Sequence, residues 1–142
     1  MAPTLFRILL VAAVLYALLQ GGRDERRVGI ICVIGTLVTY FVISPLAARF
    51  EGLETPVLAV DIAVLAAFVA VALRSDRFWP LWVAGLQLTT VMGHLLKSVE
   101  SDLIPQAYGA ALNFWSYLIV LILVLGTWRA HHRRKLEDYA TP

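Results

Sequence analysis

The sequence predicts an all-α integral membrane protein, a single domain (residues 1–142) of about five transmembrane helices in an up-and-down bundle. Of the 142 residues, 60% are hydrophobic and only 15% are charged, whereas soluble domains average about 45–50% and 25%. The hydrophobic residues fall in runs of about 20, the length that crosses a bilayer as a helix. These runs lack the period-two alternation of β-barrel strands. In lipid, helices then satisfy every backbone polar group.

The five spans are expected at 4–20, 28–48, 56–73, 78–99 and 104–130, followed by a basic tail at 131–142. The polar segment 21–27 ends the first run. Thr55-Pro56 is a typical helix start, because Thr caps the first turn and Pro lacks the N–H that this turn leaves unbonded. Pro80 is tolerated in a first turn, and the fifth helix is free to continue into the basic tail. Short connections make consecutive helices antiparallel neighbours.

The distribution of positive charge predicts the orientation of the bundle. With the C-terminus in the cytoplasm, most of the 12 Lys and Arg residues lie on the cytoplasmic side: Arg23, Arg26, Arg27, Arg74, Arg77, Arg129, Arg133, Arg134 and Lys135. Arg7, Arg49 and Lys97 lie toward the other side. The positive-inside rule therefore places the N-terminus outside and the C-terminus inside. The interfacial aromatic residues Trp79, Trp82 and Trp128 lie at the same inner boundary, as expected.

Ionisable residues inside the spans are the first candidates for a functional site, because each is costly in lipid unless it is paired or hydrated. These residues are Arg7, Asp61 and Lys97, and all lie toward the outer side. At 1.5 Å per residue, Asp61 lies about 7 Å below the outer boundary and Lys97 about 5 Å below it. The expected site is an outer polar cluster that combines Asp61 with a polar stripe on the fourth helix and one residue of the fifth: Asp61, Gln87, Thr90, His94, Lys97 and Asn113.

The cluster has two interpretations. In the first, its members form interhelical hydrogen bonds, and Lys97 extends to interfacial water along its apolar stem. In the second, they line a polar pocket in which Asp61 pairs with Lys97 or with His94. We expect Arg7 near the outer surface with its head group in the interface.

Small residues spaced by four predict two helix-packing ridges. One ridge lies on the third helix and one on the fourth: Ala59, Ala63 and Ala67, and Gly85, Thr89 and Gly93. Small side chains let helix backbones approach closely in lipid. We expect a neighbouring helix to cover each ridge, and a Gly93→Leu substitution to disrupt assembly.

The inventory of reactive side chains is poor, so we predict no catalytic residues, no metal and no cofactor. His94 is the only histidine inside a span, which excludes two axial histidine ligands to a haem within one chain. The sequence contains no HExxH, GxSxG or phosphate-binding glycine loop. The basic residues after the fifth span are expected to contact anionic lipid head groups rather than nucleic acid: Arg129, Arg133, Arg134 and Lys135.

Three functions remain open. The leading hypothesis is an accessory or scaffolding subunit that packs against other integral membrane proteins, or against a second copy of itself, in a larger complex. An energy-transducing complex is one example. The alternative is a small oligomeric transporter or ligand-binding protein that uses the outer cluster for an anionic or quinone-like head group. A membrane enzyme with Asp61 and His94 as acid and base ranks last. The expected location is the bacterial inner membrane.

Overall fold

The computed structural model describes residues 2–46, 55–99, 102 and 105–141. Within these residues the chain is all-helical, as predicted, and contains no strand. The five helices are α1 (Ala2–Gln20), α2 (Arg23–Leu46), α3 (Thr55–Arg74), α4 (Trp79–Val99) and α5 (Pro105–Ala140). The predicted end of the second span at residue 48 and the predicted start of the fifth at residue 104 lie outside the described residues.

The structure corrects the start of the second helix, and it shows the fifth helix continuing into the basic segment, which the sequence left open. Helix α2 begins at Arg23, five residues before the predicted start, because its charged residues form a capped first turn. The backbone N–H of Gly22 donates to Glu25 Oε2 at 2.9 Å, and acidic side chains favour the positive end of the helix dipole. Helix α5 continues through the basic segment to Ala140, so most of that segment is helix and not a tail.

The helices form a closed ring in which each helix packs against the next and α5 returns to α1. Helices α1 and α5 run in the same direction. Phe6, near the start of α1, and Tyr117, about a third of the way along α5, meet edge to face with ring centroids 5.2 Å apart. At their ends, Arg134 donates a hydrogen bond to the carbonyl of Gln20. An odd number of alternating helices makes the first and last helices parallel, so the ring closes with this one parallel contact.

The bundle has a buried apolar core. We call the end of the bundle formed by residues 20–25, 74–79 and 126–135 the basic end. The buried apolar residues of the core are Leu10, Ala13, Val14, Ala17, Val28, Phe68, Val71, Val83, Ala84, Ile119, Val120 and Leu123. Close approach of the helices needs glycine at one point here, because a Cβ on Gly126 would lie 3.1 Å from the indole of Trp79.

Two turns are linked to each other at the basic end. Glu25 is only 1% exposed, and its Oε1 lies 3.5 Å from the guanidinium of Arg77. Beside it, the hydroxyl of Ser75 donates to Asp24 at 2.6 Å and accepts from the backbone N–H of Arg77. Charged residues that the sequence presents as a connecting segment therefore join the α1–α2 turn to the α3–α4 turn.

Large apolar side chains are exposed on the outside of all five helices, for example Leu15, Ile34, Ile62, Leu88 and Leu121. Two helical segments among the described residues, Pro56–Arg74 and Ala107–Ala140, are long and apolar enough to cross a membrane. A shorter apolar segment covers Thr4–Gln20 of α1. The structure thus gives a helical bundle with an apolar exterior and two candidate membrane-crossing helices.

Candidate functional site

A polar network joins α3 to α4 in the half of the bundle opposite the basic end. The carboxylate of Asp61 lies at its centre. Its Oδ2 is 3.0 Å from Nε2 of His94, and its Oδ1 accepts a hydrogen bond of 3.1 Å from Nε2 of Gln87. Gln87 and His94 are both buried, and the side chain of Asp61 is 19% exposed. Gln87 and His94 lie about two turns apart on α4, and the antiparallel packing of α3 against α4 places Asp61 within reach of both.

The network continues to α5 through Tyr108. Its hydroxyl lies 2.6 Å from Nδ1 of His94, so both imidazole nitrogens have partners. The ammonium group of Lys97 lies 4.7 Å from the centre of the Tyr108 ring, within the range of a cation–π contact. The polar groups therefore form a series across three helices, from Gln87 and Asp61 through His94 to Tyr108 and Lys97.

The hydrogen-bond roles in this series follow from the donors and acceptors available. An ionised carboxylate only accepts, so with Asp61 ionised the Nε2 of His94 carries a proton. In a neutral imidazole, Nδ1 then accepts from the hydroxyl of Tyr108. Uptake of one proton by His94 would reverse this second hydrogen bond, with Nδ1–H donating to the Tyr108 oxygen. The Asp61–His94–Tyr108 series can hold one additional proton without losing either contact.

A cavity of about 850 Å³, partly open to the surface of the bundle, lies next to the network. Every helix contributes to its wall, and most of the lining is apolar. The lining side chains include Leu10, Ile31, Val64, Phe68 and Ile119. Asp61 and Gln87 also line the cavity, so both residues belong to the network and to the cavity wall. Pockets for small ligands in proteins measure about 300–1,000 Å³ and combine apolar walls with a few polar groups. This cavity has both properties.

Arg7 supplies a second charged group to the same cavity. Its guanidinium lies 5.8 Å from the centre of the Tyr40 ring on α2. Among the described residues, Arg7 forms no ion pair with a carboxylate. The prediction that its head group lies at the outer membrane interface is not tested by these contacts and stays a prediction.

Several predicted site residues come together, and others do not. Asp61, Gln87 and His94 are in direct contact, and Lys97 approaches them through Tyr108. Thr90 lies on the same buried side of α4, but its hydroxyl donates to the carbonyl of Leu86 in its own helix.

The structure corrects the inclusion of Asn113 in the polar cluster. Its side chain is exposed, because the preceding Leu112 faces Gly93 of α4 and one residue turns a helix by about 100°.

Tyr108 belongs to the network but is not among the residues that the sequence predicted for the polar cluster. The sequence pattern indicated Asn113 as the contribution of α5, and this residue lies on a different face of the helix. A usable signal was present, since Tyr108 follows the helix start at Pro105 by three residues. His94 precedes the end of α4 at Val99 by five. Antiparallel neighbours therefore place Tyr108 and His94 at similar levels.

The two ridges of small residues lie mainly on the outer surface of the bundle. Gly85 and Thr89 are exposed on α4, as are Ala59 and Ala63 on α3. A Cβ at Gly85 would have no described atom within 4 Å apart from the backbone of its own helix and its chain neighbours. Ala67 is half-buried. The expectation that a helix covers each ridge is therefore not met within the described part of this chain.

Gly93 differs from the other members of its predicted ridge. A Cβ there would lie 3.1 Å from the side chain of Leu112. The reason is helix geometry, since two steps of four residues drift by about 80° around the axis. Gly93 consequently faces α5, whereas Gly85 faces outward.

The basic residues of α5 are exposed near the basic end: Arg129, Arg133, Arg134 and Lys135. Their contact with lipid stays a prediction. Within the described residues, no group of three or more His, Cys, Asp or Glu side chains is arranged to hold a metal ion.

Comparison with known proteins gives no relative. No family model matches the chain, and neither a curated protein nor a solved structure is similar to it.

Proposed function

We propose that the chain is a multi-pass integral membrane protein in which all five helices cross the bilayer. The apolar residues exposed on every helix support this, because soluble monomers rarely expose large contiguous apolar surface. Two segments meet the length and hydropathy required of a membrane span. The remaining helices share the same bundle and run alongside these two. We expect a bacterial inner membrane as the location.

The proposed orientation has the basic end in the cytoplasm and the N-terminus outside. The arginines of the α1–α2 turn, the α3–α4 turn and the end of α5 share one end of the bundle, and positive residues favour the cytoplasmic side. A cytoplasm-dependent reporter fused after Pro142 is expected to be active, and the same reporter inserted at 51–54 is expected to be inactive. The opposite pattern would show that the orientation is wrong.

Within this membrane setting, we propose that the chain binds an amphipathic small molecule in the cavity and performs no catalysis on it. The observation that carries this proposal is the cavity of about 850 Å³ with Asp61 and Gln87 in an otherwise apolar wall. An apolar wall accommodates a hydrocarbon body, and the two polar side chains orient a head group. The function is therefore ligand binding or transport, the second of the hypotheses drawn from the sequence.

Mass spectrometry of the purified chain tests this function. The wild-type protein is expected to retain one amphipathic molecule per chain. Ser116→Trp places an indole at a position that lines the cavity and is expected to remove the bound molecule. Ala110→Trp is the matched control, because it adds the same side chain at an exposed position of the same helix. Equal occupancy in the two folded variants would contradict binding in the cavity.

An accessory subunit, the leading hypothesis from the sequence, is the second candidate. The exposed small residues Ala59 and Ala63 on α3 and Gly85 and Thr89 on α4 favour it, since such faces allow close helix contact in membranes. Co-purification with mass spectrometry is expected to find a stoichiometric partner, or a second copy of this chain, that Gly85→Leu releases. A partner that is retained by the folded Gly85→Leu variant would count against the use of this face.

A further inference from the structure

We propose that the cavity binds a neutral amphiphile whose head group donates one hydrogen bond through a hydroxyl and accepts others through oxygen, as a hydroquinone does. This inference rests on the proposed function and names the chemical class of the ligand. It depends on three properties of the cavity. Its wall holds a carboxylate that can accept hydrogen bonds and a guanidinium that can only donate them, and the rest of the wall is apolar and encloses a suitable volume.

The carboxylate of Asp61 supplies the acceptor for a ligand hydroxyl. An ionised carboxylate has about four lone-pair positions. Gln87 contributes one side-chain donor, at 3.1 Å, and His94 contributes another, at 3.0 Å. These two contacts use only part of the acceptor capacity of the carboxylate, and Asp61 also lines the cavity, so we infer that a ligand there can use the remainder. A ligand that offers an O–H in this direction gains a hydrogen bond to a charged acceptor.

The two charges in the cavity wall disfavour a ligand with a single net charge. An anionic head group would be attracted by Arg7 but repelled by the carboxylate of Asp61, and a cationic head group would meet the reverse in the same cavity. A neutral head group avoids both repulsions and carries a smaller desolvation cost than an ion. Guanidinium groups donate hydrogen bonds but do not accept them, so oxygen acceptors on the ligand suit Arg7.

A dihydroxy-aromatic ring with an apolar chain meets these requirements. Each hydroxyl both donates and accepts, so one can donate to Asp61 while ring oxygens accept from Arg7. The apolar chain lies against aliphatic and aromatic side chains such as Val64 and Phe68. The oxidised quinone of the same ring has the same size and chain but no hydroxyl donor. Comparison of the two forms therefore isolates the hydrogen bond to Asp61.

The test measures dissociation constants of four probes for the full-length chain by native mass spectrometry under anaerobic conditions. The probes are a decyl-substituted benzoquinol, its oxidised benzoquinone, dodecylamine and dodecanoate. Wild-type protein is expected to bind the quinol at least about tenfold more tightly than the quinone, since a hydrogen bond to a charged group is lost with the oxidised form. Both charged probes are expected to bind more weakly than the quinol.

Variants connect this preference to Asp61. Asp61→Asn is expected to reduce the quinol preference below about threefold, because an amide both donates and accepts and so accommodates either form. Asp76→Asn is the matched control, since it removes the charge of an exposed aspartate in the α3–α4 turn, and it is expected to keep the wild-type preference. An unchanged preference in folded Asp61→Asn would overturn the assignment.

The wild-type measurement is decisive even if Asp61→Asn does not fold. Equal binding of quinol and quinone, or tightest binding of dodecylamine or dodecanoate, would overturn the ligand class while it leaves the cavity as a binding site. Binding of none of the four probes would overturn the ligand class. Loss of native ligand from Ser116→Trp reports on the proposed function separately.

Discussion

The Asp61–His94 contact predicts a measurable coupling between two helices. We consider a double-mutant cycle made of Asp61→Leu, His94→Phe and the double variant. His94→Phe leaves the carboxylate of Asp61 with the amide of Gln87 as its remaining side-chain donor. We expect it to lower the free energy of unfolding by about 2–3 kcal/mol, because an under-bonded charged group in a poorly hydrated site is costly.

The magnitude of the coupling follows from the geometry of the pair. Interhelical hydrogen bonds in membrane proteins contribute about 0.6 kcal/mol on average and up to about 1.7. Charged partners roughly double a neutral hydrogen bond, and the 3.0 Å separation between Oδ2 and Nε2 is close to ideal. We expect a coupling of about 1–2 kcal/mol. The double variant should accordingly be less destabilised than the sum of the two single variants.

The assay is reversible unfolding in mixed micelles of dodecyl maltoside and increasing sodium dodecyl sulfate, followed by fluorescence of the four tryptophans. A control cycle pairs Asp61→Leu with Thr127→Val, whose hydroxyl contacts Leu123 near the basic end, and should be additive. If the Asp61–His94 cycle is additive within about 0.5 kcal/mol, the contact does not stabilise the bundle and our interpretation is wrong.

Three further predictions concern the basic end and the glycines. Arg77→Ala is expected to lower the free energy of unfolding by about 2 kcal/mol, because Glu25 is buried and loses its counter-charge. Adding Glu25→Gln should restore part of this lost stability. No recovery in the double variant would contradict the pairing of Arg77 with Glu25. Gly126→Leu is expected to lower Tm measurably, since overpacking against Trp79 costs about 1–3 kcal/mol; an unchanged Tm would contradict the close contact. Gly85→Leu, on the open face, should leave the unfolding free energy of the isolated chain within about 0.5 kcal/mol, and a larger loss would show that this face packs within the chain.

Part of the candidate site could be predicted from the sequence. Asp61 and His94 stand out because an ionisable or polar side chain in an apolar run requires a partner, and their positions along antiparallel helices place them at similar levels. The choice of partner could not be predicted in the same way. Lys97 and His94 both lie near Asp61 in level, and the rotation of α4 about its axis, which packing determines, brings His94 to the carboxylate.

The errors share a physical cause. The segment that begins α2 was interpreted as a connection because its polar and charged residues interrupt the apolar runs. Glu25 is nevertheless fully buried, since Gly22 and Arg77 both bond to it. Asn113 was placed in the cluster by spacing along one helix, which does not specify the face that a neighbouring helix covers. Sequence periodicity identifies faces relative to one another but not their absolute rotation in a bundle.

The all-helical class, the number of helices and most of their bounds follow from local hydrophobicity and from capping residues, so they could be read from the amino-acid sequence. The sequence also indicated that the polar groups of α3 and α4 lie toward one end. The contact of α5 with α1, the place of Tyr108 in the network and the cavity beside Asp61 became visible only in the folded bundle. These features depend on how side chains of several helices fill a shared volume. Side-chain packing between distant segments is a collective property that no single stretch of sequence specifies.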